Sequence, residues 1–212
     1  TSQKIAWTEF MTRVTNRHVT PEDDHSLAEV EAVALGAATE SRVLRELGRG
    51  QNPQNAHALL LELGRWNNRF NPYPQRFGVR LTTPVTDLPA LPEEKRVDLT
   101  RLPAFAIDNA WTTDPDDALS LEGANRLWVH VADVATIILP DSPADLEARN
   151  RATNLYVPEM TVPMLPTEAS ERLALGISDI SPALSFGLNL DSEGGITGLE
   201  IVPSWVRASR LS

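Results

Sequence analysis

The sequence predicts an α+β protein. A helical, winged-helix-like module covers residues 1–83, a proline-rich linker covers 84–100, and a mixed α/β region runs over 101–212. Three observations carry this reading. Helix start and stop signals follow one another between Ser26 and Gly64. Pro84, Pro89, Pro92 and Pro103 punctuate the chain where its composition shifts. Beyond them, short strand-like runs alternate with helical ones, the pattern of a mixed sheet with helices against it.

Within the first region, Ser26 with Glu29 three positions later has the form of a capping box. The Ala-, Leu- and Glu-rich run from Leu27 to Leu47 reads as one helix, with Gly48 at its C′ position. Asn52 followed by Pro53 marks a second start, and that helix reaches Gly64. Two capped helices joined by a short turn suit a winged-helix module or a plain helical hairpin used for packing. Residues 77–85, FGVRLTTPV, alternate and suggest a strand or wing.

In the second region AFAID and ALSLE read as strands. RLWVHVADV is a stronger one, with Leu127, Val129 and Val131 on one face. Ser142-Pro143-Ala144-Asp145 opens a helix to about Asn154. TVPMLPTEAS is a proline-bearing loop. LSFGLNL and GLEIVPSWVRAS are strands joined by DSEGG, a hairpin signal.

The chain has 212 residues with 42% hydrophobic and 23% charged residues, ordinary for a globular protein. No apolar run is long enough to span a membrane, and the N-terminus lacks a secretory apolar core. Zero cysteines exclude disulfides and thiolate metal sites and fit a cytoplasmic protein. Net charge is −10 and uneven. Residues 1–80 hold 10 basic against 9 acidic residues, and residues 81–212 hold 9 against 20. Taken alone, an acidic surface argues against a nucleic-acid partner, but bound cations reverse the local sign.

The acid is concentrated in AIDNAWTTDPDDALSLE, residues 106–122. Asp108, Asp114, Asp116 and Asp117 fall within ten positions, and no Lys or Arg occurs from Leu102 to Asn125. Two carboxylates 4 Å apart repel by roughly 4 kcal/mol at an effective dielectric near 20. The cluster must splay into solvent, share protons or bind hard cations. Strand-like residues anchor it at both ends, which fits poorly with a solvated loop. The EF-hand template fails, because Ala110 and Thr113 occupy its third and sixth positions. Aspartates without His or Cys suit Mg²⁺, or Mn²⁺, rather than zinc.

The order of these segments resembles the first half of the catalytic (RNB) domain of the RNase II / RNase R exoribonucleases. The resemblance rests on Ile107-Asp108, six residues to Asp114-Pro115-Asp116-Asp117-Ala118, then VHVADV, then Tyr156-x-Pro with PMLP. It covers residues 101–212. It implies a hydrolytic, processive 3′→5′ exoribonuclease that degrades single-stranded RNA to nucleoside 5′-monophosphates with Mg²⁺. Carried onto these positions, Asp108 and Asp117 become direct metal ligands. Asp116 becomes the residue most critical to chemistry, at the second metal position, and Asp114 orients the site. Tyr156 becomes the aromatic that stacks near the RNA 3′ end. Arg149 and Arg151 are weaker candidates for phosphate contact. His130 and Asp133 read as structural residues.

The same resemblance implies that residues 1–83 replace the family's usual cold-shock OB-folds with a helical or winged-helix front end. It also implies that the catalytic domain continues about as far again beyond Ser212. That C-terminal half, in the same polypeptide or as a cleaved chain, is then a required partner. The other reading is a catalytically inactive RNB-like RNA-binding protein carrying a winged-helix module.

Overall fold

A computed structural model describes residues 2–212, with side chains from Ala6 onward. The chain divides into two units, residues 1–82 with Val157–Met160, and residues 83–156 with 161–212.

The first unit is built from α1 (Ser2–Thr15), α2 (Asp24–Ala34), α3 (Arg42–Glu46), α4 (Pro53–Glu62) and a short α5 (Tyr73–Arg76). Its core joins Phe10 and Val14 to Leu27, Val30, Leu44, Leu59 and Leu60, all buried. At this burial a Leu→Ala change costs about 2–5 kcal/mol. Several start signals act as their residue types predict. Asn52 Oδ1 accepts from Asn55 N–H with Pro53 in the first turn, and Gly48 and Gly64 end helices at positive φ.

The expected single helix over 27–47 is two helices. The first ends at Ala34, followed by Gly36 at φ +76°, where Ala37 N–H returns to Ala32 C=O. Glu29 does not cap its own helix. Its carboxylate accepts from Ser41 Oγ–H and Val43 N–H, at 2.7 Å each, and so holds the start of α3. A tertiary hydrogen bond thereby overrides local helix propensity. Residues 77–85 form no strand, since no neighbouring strand offers them a ladder.

Residues 83–212 contain β1 (Val97–Asp98), β2 (Ala104–Ile107), β3 (Asp117–Glu122), β4 (Arg126–Ala132), α6 (Pro143–Arg151), β5 (Leu155–Val157), β6 (Met160–Val162), α7 (Thr167–Leu173), β7 (Ser181–Leu190), β8 (Ile196–Val206) and β9 (Ala208–Leu211). The main sheet has the order β1-β8-β7-β4-β3-β2-β9, and β5 with β6 makes a separate ribbon. Only Arg207 separates β8 from β9, yet β8 lies second in that order, between β1 and β7, and β9 lies at the far end beside β2. The sheet therefore curls until one continuous segment serves both flanks, as in a small barrel. Part of the segment read as a proline loop is helical, α7. Val97 and Asp98, in the expected linker, pair with Ser204 and Trp205.

The inward face carries small or polar residues: Ala104, Ala106, Ala118, Ser120, His130, Ala183, Ser185 and Ser204 are all buried. A tight curl leaves little interior volume, so these residue types fit. Trp128 is the one large inward aromatic, and its indole lies across Gly187, its partner in register. A Cβ at Gly187 would sit 2.8 Å from the ring, so Gly187→Ala is expected to cost about 1–3 kcal/mol. Urea denaturation measures it, and an unchanged midpoint contradicts the packing described. Leu127, Val129 and Val131 do share a face, as the alternation predicts, but it is the outer one. They continue in register through Leu119 and Phe105 on one side and Phe186 and Ile201 on the other.

His130 sits at the centre of a buried polar chain. Its Nε2 is 2.8 Å from Ser120 Oγ and its Nδ1 is 2.7 Å from Ser185 Oγ, which lies 2.6 Å from Ser204 Oγ. These bonds link four adjacent strands. Asp133 accepts from Arg96 Nη2 at 2.6 Å, and Arg96, 1% exposed, also donates to the Ala183 and Ser204 carbonyls. No helix among the described residues is long and apolar enough to cross a membrane.

Candidate active site

The acidic loop between β2 and β3 is fastened at several points. Asp108 N–H donates to Leu211 C=O at the β9 edge. Leu175 N–H donates to Pro115 C=O, and Ala132 N–H donates to Asp116 C=O, both at 2.8 Å. Arg210 Nη2 donates to Thr112 C=O at 2.6 Å. Asp117 begins β3 opposite Val131. The sheet rim therefore fixes the backbone on which the carboxylates stand.

Asp114 and Asp116 line a cavity of about 880 Å³ together with Tyr156 and Arg149. Its floor is apolar, from Ile138, Leu173 and Met164 among others. Asp108 and Asp117 do not line the cavity. The Asp116 carboxyl is pushed above the ordinary aspartate range. Loss of hydration is the larger cause, followed by repulsion from Asp117, Asp108 and Asp114. The residue as a whole is exposed, so the carboxylate's immediate surroundings, not the residue average, govern the shift. One oxygen of Asp108 is buried with no hydrogen-bond partner.

Asn154 joins the acids to the aromatic. Its Nδ2 donates to Asp114 Oδ2 and to the Tyr156 hydroxyl, each at 3.1 Å, and its Oδ1 accepts from Met164 N–H at 2.6 Å. Sequence reasoning missed this residue. Its only signal was its place two positions before Tyr156, since an asparagine in a turn ordinarily bonds to nearby backbone. Tyr156 is 68% exposed, which leaves its ring face available. Arg149 is paired with Asp141 and Asp145 at the cavity rim. Arg151 is 9% exposed, pairs with Glu147 and donates to Pro163 C=O, and does not line the cavity.

The donor chemistry of the four aspartates fits a hard divalent cation. They supply oxygen only, they repel one another, and Asp108 has an orphaned buried acceptor. Among the described residues no three acidic or imidazole groups converge into a ready-made cage.

Two family profiles match the chain. The one described as an RNB domain covers residues 96–211, and the one described as a double HTH domain covers residues 2–72. The chain belongs to the RNB-domain family, that of the RNase II and RNase R ribonucleases. Among relatives, it is 37% identical over 180 residues to an "uncharacterized ribonuclease sll1290" of Synechocystis, covering 78% of this chain and 27% of that one. It is 39% identical over 120 residues to ribonuclease R of Escherichia coli, covering 51% of this chain and 14% of the relative. The chain thus spans about a quarter or less of these relatives. Among solved structures, the Dss1 exoribonuclease of Candida glabrata shares the fold with a TM-score of 0.69 at 21% identity, over 97% of this chain and 33% of that one. The yeast pseudonuclease Ssd1 has a TM-score of 0.50 at 25% identity, over 76% of this chain and 21% of that one.

Proposed function

We propose that this chain is part of a hydrolytic, processive 3′→5′ exoribonuclease that shortens single-stranded RNA to nucleoside 5′-monophosphates. The observation that carries the reading is Asn154, which ties an aspartate and an exposed tyrosine together on one cavity wall. A terminal nucleotide presents the matching pair of features, a phosphodiester and a base. In this reading Tyr156 stacks on a base near the 3′ end, a sequence-tolerant contact. Asp114 holds its orientation through Asn154. Asp116 stands where water attacks the terminal phosphodiester.

Asp108, Asp114, Asp116 and Asp117 would hold Mg²⁺ or Mn²⁺. Bound there, the ion would neutralise phosphate charge and lower the pKa of attacking water. Arg149 is placed to draw phosphate toward the cavity rim by exchanging its aspartate partners for RNA. Arg151 supports the helix that presents it.

The partner in this reading is the remaining half of the catalytic domain. The outer sheet face supports it. Phe105, Leu119, Val131, Leu199 and Ile201 are 38–59% exposed, and they are contiguous across the strands. A patch of that kind marks an interface. The 212-residue chain alone is expected to bind a hydrophobic dye such as ANS strongly, and the full-length protein weakly. Equal binding contradicts this partner.

A specific observation favours a second reading, an inactive RNA-binding protein: the likeness to the pseudonuclease Ssd1. The two separate on the full-length protein with oligo(A). Mg²⁺-dependent release of AMP supports the exoribonuclease, and tight binding without release supports the second reading. Tyr156→Ala tests the stacking role. It is expected to weaken single-stranded RNA binding about 5- to 150-fold, the worth of one stacked base. Unchanged affinity would remove Tyr156 from the site.

A further inference from the structure

The first unit carries a feature that the cavity does not use. From Leu63 to Thr86 the chain has no acidic residue, while Arg65, Arg69, Arg76 and Arg80 alternate with Trp66, Phe70, Tyr73 and Phe77. The surrounding unit is near neutral, so this segment is a local concentration of positive charge.

The segment is pinned, not loose. Pro72 and Pro74 are buried beneath it. Arg76 Nε donates to Ala34 C=O at 2.7 Å and its Nη2 donates to Pro53 C=O at 3.1 Å. These bonds cap the end of one helix and meet the start of another, and they leave the Arg76 guanidinium 5.1 Å from the Tyr73 ring centre. Trp66 anchors the other end, half-buried against the core, with Phe70 stacked on it at 4.0 Å. The remaining rings turn outward. Tyr73 is 59% exposed and Phe77 is 81% exposed, four residues apart on one side of a helical turn. Arg69 and Arg80, in the same segment, are also exposed.

From this arrangement we infer that the Tyr73–Phe77 strip is a second binding surface for single-stranded RNA, with bases stacked on the two rings and phosphate drawn by Arg69. Rigid exposed aromatics interleaved with cations are the elements of sequence-tolerant single-strand binding. Arg65 is paired with Asp24 at 2.8 Å and Arg76 is held by backbone carbonyls; an apolar protein partner would match the rings, but nothing about it would call for the exposed Arg69 in the same acid-free segment. The inference rests on RNA being this protein's ligand. It does not rest on hydrolysis.

The test uses the full-length protein in EDTA, with fluorescein-labelled oligo(A) of 6 and 25 nucleotides and binding read by anisotropy. Tyr73→Ala/Phe77→Ala is expected to weaken the 25-mer at least tenfold and leave the hexamer within twofold, because the hexamer is held at the cavity. Tyr73→Trp/Phe77→Trp restores binding, which excludes a folding defect. Arg69→Glu lowers the salt dependence of 25-mer binding. Wild-type affinity for both oligomers in the alanine variant overturns the inference while leaving the cavity reading intact. Failure of the wild-type protein to bind either oligomer overturns both. Unchanged RNA affinity together with loss of a protein contact assigns the strip to a protein instead, and also overturns it.

Discussion

Asp116→Asn in the full-length protein is expected to reduce phosphodiester hydrolysis at least 10³-fold, about 4 kcal/mol of transition-state stabilisation. The substitution keeps the shape of the side chain and the backbone bond from Ala132 to residue 116. It removes the carboxylate that the other three aspartates repel. The same change should leave the fold as stable as before, or more so. A carboxyl whose folded-state pKa is raised contributes stability only at low pH. That contribution is lost as pH rises through the folded pKa, so at neutral pH the ionised group is a burden. Asparagine lifts the burden. An inactive variant with an undiminished thermal midpoint is the expected pair of results. An inactive variant that melts early would mean that activity was lost through unfolding.

The second large effect concerns His130. Burial lowers its pKa to about 4, against an ordinary value near 6.5. The unfolded chain takes up a proton first as pH falls, so stability is complete above pH 6.5 and declines between 6.5 and about 4. The loss attributable to this residue is at most about 3 kcal/mol, because local opening can admit water before the full penalty is reached. His130→Gln should cost about 1–3 kcal/mol at pH 7, since the serines on either side lose well-placed partners. It should also flatten the acid dependence between pH 6.5 and 4. Urea midpoints at pH 7 and pH 4.5 for both proteins give the comparison. Carboxylates titrate in both, so their difference isolates His130. Parallel losses on acidification would show that His130 is not the buried neutral hub described here.

The sequence made some of this legible and hid the rest for identifiable reasons. Asn52-Pro53 and Ser142-Pro143 announced helix starts because capping is local chemistry, and the structure shows both side chains accepting from the expected backbone N–H. The β7–β8 hairpin was legible for the same reason, with Asp191 and Gly194 shaping its turn. The break after Ala34 was not. Ala, Leu and Glu favour helix throughout residues 27–47, and what stops the helix is Glu29 reaching Ser41 and Val43. Alternation in β4 showed two faces but not which one was inner. In a tightly curled sheet the small and polar face is buried, and the larger aliphatic face turns outward. The four aspartates stood out because like charges without nearby cations need an explanation. Asn154 did not, because an asparagine in a turn is unremarkable until its three hydrogen bonds are seen.

The most direct test of the central claim is to incubate the full-length protein with 5′-labelled oligo(A), with Mg²⁺ and separately with EDTA, and to resolve the products on a sequencing gel. The account predicts a ladder that shortens from the 3′ end with Mg²⁺, is absent with EDTA, and is absent in Asp116→Asn with Mg²⁺. Full-length oligo(A) persisting in every lane, or an Asp116→Asn ladder matching the wild type, would contradict it.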